Sequence, residues 1–147
     1  MKTLSKEQIK EIAEDIDFGF KCFLNKKTGE YLSFPDPLKH YETDDDAWKD
    51  NKKKLRKNTK DFIEIDGLDS HDSFQIMADF AESLPDSASE KQRLVNALNR
   101  RKPFREFKYE VDNAGDYREM WFEFKQQKLE EWVVKSFNDK MEGEDLE

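Results

Sequence analysis

The chain has 147 residues, a formal net charge of −8, a charged fraction of 41% and an apolar fraction of only 35%. Aromatic residues make up 13% and offset the low apolar fraction, because each aromatic side chain buries about 150–250 Å². This composition argues against a disordered chain, a collagen-like repeat and a disulfide scaffold. The length favours one α+β domain over residues 1–140, followed by an acidic, frayed tail at 141–147.

Metal-binding and membrane-spanning patterns are missing from the sequence. Cys22 is the only cysteine, and the two histidines, His40 and His71, lie far apart, so neither a disulfide nor a metal site is expected. The N-terminus leads directly into an amphipathic pattern, and no window approaches the roughly 18 apolar residues of a membrane span. We therefore expect a cytoplasmic protein that binds no cofactor and no membrane.

The first third of the chain predicts a helix and a hairpin. Ser5 and Gln8 have the spacing of a capping box, and apolar residues at helical intervals predict a helix over 6–16. Two apolar runs, 18–24 and 31–34, flank a polar turn that contains a glycine. This arrangement is typical of a β-hairpin.

Residues 36–61 have the weakest pattern and are interpreted as a linker with a helix insertion. Three aspartates at 44–46 can cap a helix that carries Trp48 and Leu55, and a basic run follows. Acids at the start of a helix and bases at its end complement the helix dipole. We prefer this structural interpretation to a functional charge switch.

The remaining elements are a third strand and four helical segments. The strand is predicted at 62–65, and Ser70, Ser89, Pro103 and Asp116 are predicted to begin the successive helices. Because strands come early and helices late, the pattern favours an α+β fold. We expect a small antiparallel sheet, made of the hairpin and the third strand, packed against a C-terminal helical bundle.

No pattern of residues predicts catalysis. Glycine-rich phosphate loops, nucleophile elbows and paired-histidine zinc motifs do not occur. The segment 70–73 (Ser-His-Asp-Ser) contains catalytic residue types, but neighbours on one helical turn point in different directions, so we interpret it as a helix start. Cys22 is interpreted as a small apolar residue of a strand. We assign no catalytic residue and favour a protein that is not an enzyme.

The strongest functional signal is a local reversal of charge. Residues 90–108 contain seven cations and only two acids, although the whole chain is acidic. The cations are Lys91 and Arg93, together with five candidate residues for binding an anion or a partner: Arg100, Arg101, Lys102, Arg105 and Lys108. Arginine suits bidentate contact with phosphate or carboxylate groups.

The alternative explanation is that these cations neutralise acids of the same fold, such as Glu106, Glu110 and Glu119. Phe104 and Phe107 are assigned to the core, which weakens a site for single-stranded nucleic acid because such sites need exposed aromatic rings. Three further aromatic residues at helical spacing are also assigned to the core and not to a ligand cage. They are Trp121, Phe124 and Trp132.

The C-terminal half resembles a known family. The stretch 94–108 (LVNALNRRKPFREFK) and the later 121–124 (WFEF) resemble small bacterial proteins grouped as uncharacterised protein family 0158, as does the turn 28–30 (TGE). The resemblance implies a bacterial, intracellular, single-domain protein and supplies no catalytic residue, cofactor or substrate. It also implies that one structural unit contains the following residues: Arg101, Phe104, Phe107, Lys108, Trp121 and Phe124.

Three functions are compatible with these observations, in order of preference. The first is a non-enzymatic protein-interaction module that binds another protein through its helical face or its basic stretch. The second is a protein that binds nucleic acid or a phosphate ligand through the basic residues of 91–108, with an affinity that falls steeply with salt. The third is an enzyme whose active site is dispersed in the sequence and includes His71.

Overall fold

The computed structural model describes residues 3–39 and 45–145. These residues form an α+β fold, which confirms the predicted fold class. The elements are α1 (Lys6–Asp17), β1 (Phe20–Asn25), β2 (Tyr31–Pro35), α2 (Asp45–Lys57), a short 3-10 helix (Thr59–Asp61), β3 (Phe62–Ile65), α3 (Ser70–Ser83), α4 (Ser89–Leu98), α5 (Pro103–Asp112) and α6 (Tyr117–Asp145). No helix in the described part of the chain is both long and apolar enough to cross a membrane.

The chain divides into two compact units. Unit 1 contains the described residues of Met1–Gly67 and Leu129–Glu147, and unit 2 is Leu68–Lys128. Helix α6 therefore contributes residues to both units. The single domain over 1–140 and the frayed tail at 141–147 stay predictions, and helix α6 continues to Asp145.

Unit 1 begins with the predicted capping box. The Ser5 hydroxyl accepts the Gln8 N–H and the Gln8 side chain accepts the Ser5 N–H, both at 3.1 Å. Helix α1 buries Ile12, Ala13 and Ile16. Its contacts with β1 bring this apolar face against the sheet.

The sheet of unit 1 has three antiparallel strands in the order β2-β1-β3, so the hairpin and the third strand pair as predicted. Cys22 of β1 lies opposite Ser33 on one side and Ile65 on the other. Gly29 ends the hairpin turn with a φ of 79°, a backbone conformation that glycine adopts without the steric cost of a side chain. The hairpin turn is therefore built by the residue type that its backbone requires.

Helix α2 lies within the segment 36–61 and packs beside β2. The Trp48 ring meets Phe20 at 5.4 Å between centroids, and the Asn51 side chain donates to the Ser33 carbonyl at 2.9 Å. The helix insertion in this segment is therefore confirmed. Asp44, one of the predicted capping acids, lies outside the described residues.

Unit 2 is a helical structure around an aromatic core. Phe107 of α5 meets Trp121 of α6 at 5.0 Å between ring centroids, and Phe80 of α3 contacts both Trp121 and Phe124 at 5.4 Å. Leu94 of α4 is buried in the same cluster. Four helices thus share one core, and it includes Trp121 as the sequence predicted.

Two of the predicted helix caps in unit 2 are wrong. Asp69, not Ser70, caps α3, because its carboxylate accepts the Asp72 N–H at 2.8 Å. Helix α4 is preceded by Ala88, which offers no side-chain cap, and Ser89 is already helical. Pro103 does occupy the first turn of α5, where its missing N–H costs no hydrogen bond.

Candidate functional site

The residues with the best nucleophilic or acid–base chemistry are not assembled into a site. His71 is exposed on the first turn of α3, where Asp72 takes part in the cap. Cys22 is fully buried, and its thiol lies 3.1 Å from the Tyr31 hydroxyl, which donates to Asp15 at 2.7 Å. Burial raises the pKa of the Cys22 thiol to about 12, so it stays protonated and unreactive at neutral pH.

Metal ligands are also dispersed. Among the described residues, no group of three or more histidine, cysteine, aspartate or glutamate side chains is placed to hold a metal ion.

Helix α5 brings most of the predicted basic residues onto one side of unit 2. It buries Phe107 and Val111, and at 100° per residue Arg105 and Tyr109 lie opposite them, while Lys108 and Phe104 lie at the border of the buried side. We call this surface, together with two cations that immediately precede α5, the α5 outer face. Its residues are Arg101, Lys102, Phe104, Arg105, Lys108 and Tyr109, all exposed.

The five candidate cations differ in their electrostatic partners. Arg100 contacts the carboxylates of Glu106 at 3.3 Å and Glu110 at 3.7 Å, and Arg105 also contacts Glu106 at 3.3 Å. The other three candidates form no ion pair with any residue that the structure describes. They are Arg101, Lys102 and Lys108. Neutralisation within the fold therefore accounts for Arg100 and part of Arg105, whereas three cations face solvent uncompensated.

The assignment of Phe104 to the core is wrong. Its side chain is 44% exposed, whereas Phe107 is 1% exposed. Phe104 lies on the first turn of α5 at the edge of the apolar stripe, where neighbouring helices no longer cover it. Tyr109, which the sequence analysis did not single out, is 63% exposed and lies on the side of α5 opposite Phe107.

The beginning of α6 extends this surface. Asp112 at the end of α5 accepts from Arg118 at 3.3 Å, so the only acid on this side of α5 is neutralised. The Arg118 guanidinium also lies 4.8 Å from the Phe122 ring centroid, and the Lys125 ammonium lies 5.5 Å from it. Cation–π contacts of this kind hold basic side chains over exposed aromatic rings.

Trp132 lines a cleft in unit 1 and is only half-buried, so its assignment to the core needs correction. Its indole N–H donates to the Asp66 carbonyl at 2.7 Å. The cleft encloses about 230 Å³ and is lined by Asp66, Trp132, Lys135, Ser136, Asp139 and Lys140. Its charged groups pair with each other, Lys140 with Asp66 at 3.3 Å and Lys135 with Asp139 at 2.9 Å. The internal pairing leaves this cleft without a free charge for a ligand.

The described residues thus form a small α+β protein whose helical unit exposes cations and aromatic rings. A family model matches residues 3–142, and the chain belongs to the Uncharacterised protein family (UPF0158), which confirms the resemblance seen in the sequence. No curated protein and no solved structure matches the chain.

Proposed function

We propose that the chain is a non-enzymatic protein-interaction module whose α5 outer face binds an acidic segment of a partner protein. The observation that supports this function is the exposure of Phe104 and Tyr109 beside the unpaired cations Arg101 and Lys108. Exposed aromatic rings supply the apolar area of a binding hot spot, and arginine supplies bidentate contacts to carboxylates.

The packing of α5 in the aromatic core supports the same function. Phe107 anchors the helix in the aromatic core, so the outer face keeps its arrangement before a partner arrives. Binding to a preorganised surface avoids part of the entropy cost of ordering side chains and loops. Charge complementarity selects the partner, because unpaired cations favour carboxylate-rich segments and repel basic ones.

Single-stranded nucleic acid is the second candidate for the same face. Exposed Phe104 and Tyr109 are rings on which bases can stack, a feature that the sequence analysis took to be missing. Such binding is strongly salt-dependent and disappears after nuclease treatment.

The test is affinity capture with immobilised protein, with and without nuclease, followed by identification and purification of what is retained. One variant combines Arg101→Glu, Lys102→Glu and Lys108→Glu. The matched control combines Lys49→Glu, Lys53→Glu and Lys57→Glu in α2, which changes the net charge by the same amount on a different helix. A protein retained after nuclease by the wild type and the control, but lost with the α5 variant, is the expected result.

With the purified partner, Phe104→Ala should weaken binding by at least about tenfold, the effect of a hot-spot residue worth about 1.4 kcal/mol. Equal retention by all three proteins would remove the α5 outer face as the site. Retention that disappears with nuclease would favour the nucleic-acid alternative.

A further inference from the structure

Glu106 borders the α5 outer face and contacts two of the candidate cations with one carboxylate. Its Oε1 atom accepts from the Arg105 guanidinium at 3.3 Å, and its Oε2 atom accepts from the Arg100 guanidinium at 3.3 Å. Glu110 also contacts Arg100, at 3.7 Å. A carboxylate of the chain itself therefore already occupies an arginine of the surface to which we assign an acidic partner.

The two arginines are held to different degrees. The Arg105 side chain is 69% exposed, and Glu106 is its only ion-pair partner within residues 3–39 and 45–145. The Arg100 side chain is 48% exposed and has two carboxylate partners, of which Glu110 is only 15% exposed. Water competes for both charges of an exposed ion pair, so such a pair contributes little to stability. Arg105 can therefore leave Glu106 at small cost, whereas Arg100 stays in place.

Departure of Arg105 does not leave Glu106 without a cation. The Glu106 side chain is 26% exposed, and a partly buried charge that has no partner is destabilised by the water it has lost. Because Oε2 stays in contact with Arg100, Glu106 keeps a cation when Oε1 is released. The exchange of one carboxylate for another at Arg105 is thus close to balanced in free energy.

The geometry of α5 places Arg105 between Glu106 and Lys108. At 100° per residue, Lys108 lies about 60° from Arg105 around the helix in one direction, and Glu106 lies about 100° away in the other. The contact with Glu106 therefore draws the Arg105 guanidinium away from Lys108, which has no ion-pair partner among the described residues. Release of Arg105 lets two neighbouring cations engage the same acidic segment.

We infer that Glu106 competes with the acidic segment for Arg105, so that binding exchanges the Glu106 carboxylate for a carboxylate of the partner. This inference rests on the proposed function, because it concerns the regulation of the same face. Arg105 is then a contact residue, and Arg100 is a positioning residue that holds Glu106 during the exchange. The competition discriminates against weakly acidic partners, since only a segment rich in carboxylates displaces the internal one.

The dipole of α5 offers a simpler explanation for Glu106, because this residue is an acid in the first turn of the helix. Under that explanation, its removal lowers stability and leaves binding unchanged. Glu119 occupies the same place in α6 and is exposed, but it pairs with no residue that the structure describes. A comparison of the two glutamates therefore separates an effect of the dipole or of net charge from the release of Arg105.

The test uses fluorescence anisotropy of a short labelled peptide of glutamates around one leucine, titrated with full-length protein at low salt, where electrostatic attraction is least screened. Glu106→Gln should bind the peptide about two- to fivefold more tightly than the wild type, in the range expected for the release of one exposed ion pair. The matched control Glu119→Gln removes the same charge and should bind like the wild type. Circular dichroism checks that each variant keeps the native fold.

A double-mutant cycle identifies Arg105 as the released group, because Glu106→Gln should bring no gain in a protein that carries Arg105→Ala. A wild type that binds the peptide without any gain in Glu106→Gln would overturn the competition and leave the proposed function intact. So would an equal gain in Glu119→Gln, or a gain that persists in the Arg105→Ala background. If neither the wild type nor Glu106→Gln bound the peptide at the lowest salt, both proposals would fail.

Discussion

Helices α2 and α5 both present cations to solvent, but they are held in the fold by different means. Helix α5 buries Phe107 and Val111 in the aromatic core of unit 2, whereas none of the described side chains of α2 is fully buried. The cations differ as well, since α5 combines arginine with exposed aromatic rings, whereas the exposed side of α2 carries lysines interspersed with aspartates. Exposed cations therefore accompany two kinds of surface.

The difference in anchoring suggests that the two helices suit different contacts. A firmly anchored helix with arginine and aromatic residues suits contacts whose geometry matters, because each group is positioned before binding. Helix α2, which buries no side chain fully and mixes lysines with aspartates on its exposed side, offers no such set of positioned groups. Mutations that loosen one helix or the other test this comparison.

The largest effect is expected from the anchor of α5. Phe107→Ala should lower the free energy of unfolding of unit 2 by about 3–5 kcal/mol, since it opens a cavity beside Trp121. Phe104→Ala on the outer face should cost less than about 1 kcal/mol, because that ring is largely solvent-exposed. Urea unfolding followed by circular dichroism measures both. Similar losses for the two variants would contradict the division between buried and outer faces.

A smaller effect is expected from the anchor of α2. Trp48→Ala should lower the free energy of unfolding by about 1–2 kcal/mol, because the indole is half-buried and loses its contact with Phe20. Lys53→Ala, one turn along the helix on the exposed side, is the matched control and should leave stability nearly unchanged. A loss with Trp48→Ala as large as that with Phe107→Ala would show that α2 is anchored as firmly as α5.

The smallest effect concerns pH and unit 1. Burial raises the pKa of Cys22 from 9.0 to about 12, and burial also raises the pKa of Tyr31. A raised pKa means that the folded protein holds its proton more tightly than the unfolded chain. The resulting stabilisation is complete below pH 9 and is lost as the pH rises towards 12.

At pH 9.5 the loss of stability attributable to Cys22 should be about 1 kcal/mol. Urea unfolding at pH 7 and at pH 9.5 measures it, and Cys22→Ala should show a weaker dependence on pH. Identical pH dependence in the two proteins would rule out the thiol as the cause.

The sequence predicted the helices and strands better than it predicted which side chains face solvent. The capping box of Ser5 and Gln8 is a local pattern, and it was confirmed. Asp69 and Ser70 are adjacent, and both residue types are good helix caps. The local sequence alone therefore does not decide which of the two is the N-cap of α3. For Phe104, the spacing of apolar residues correctly placed the ring on the apolar stripe of α5. Its exposure depends on where the neighbouring helices end, which the residues next to Phe104 in the sequence do not determine.

The candidate surfaces were predictable to different degrees. The charge reversal at 90–108 is visible in the sequence, but its division into paired Arg100 and unpaired Arg101 depends on where Glu106 and Glu110 lie. The lysines of α2 were interpreted as ordinary helix electrostatics. Whether a charge is compensated depends on contacts between residues distant in the chain, such as Lys54 with Glu30 at 3.2 Å.

The hydrogen bond from Asn51 to the Ser33 carbonyl has a consequence for self-association. Strand β2 is an edge of the sheet, and edge strands expose backbone groups that can pair with a second chain. Asn51 occupies one of these acceptors with its amide, so α2 shields part of the β2 edge from intermolecular strand addition. Any change that detaches α2 therefore opens a route to aggregation.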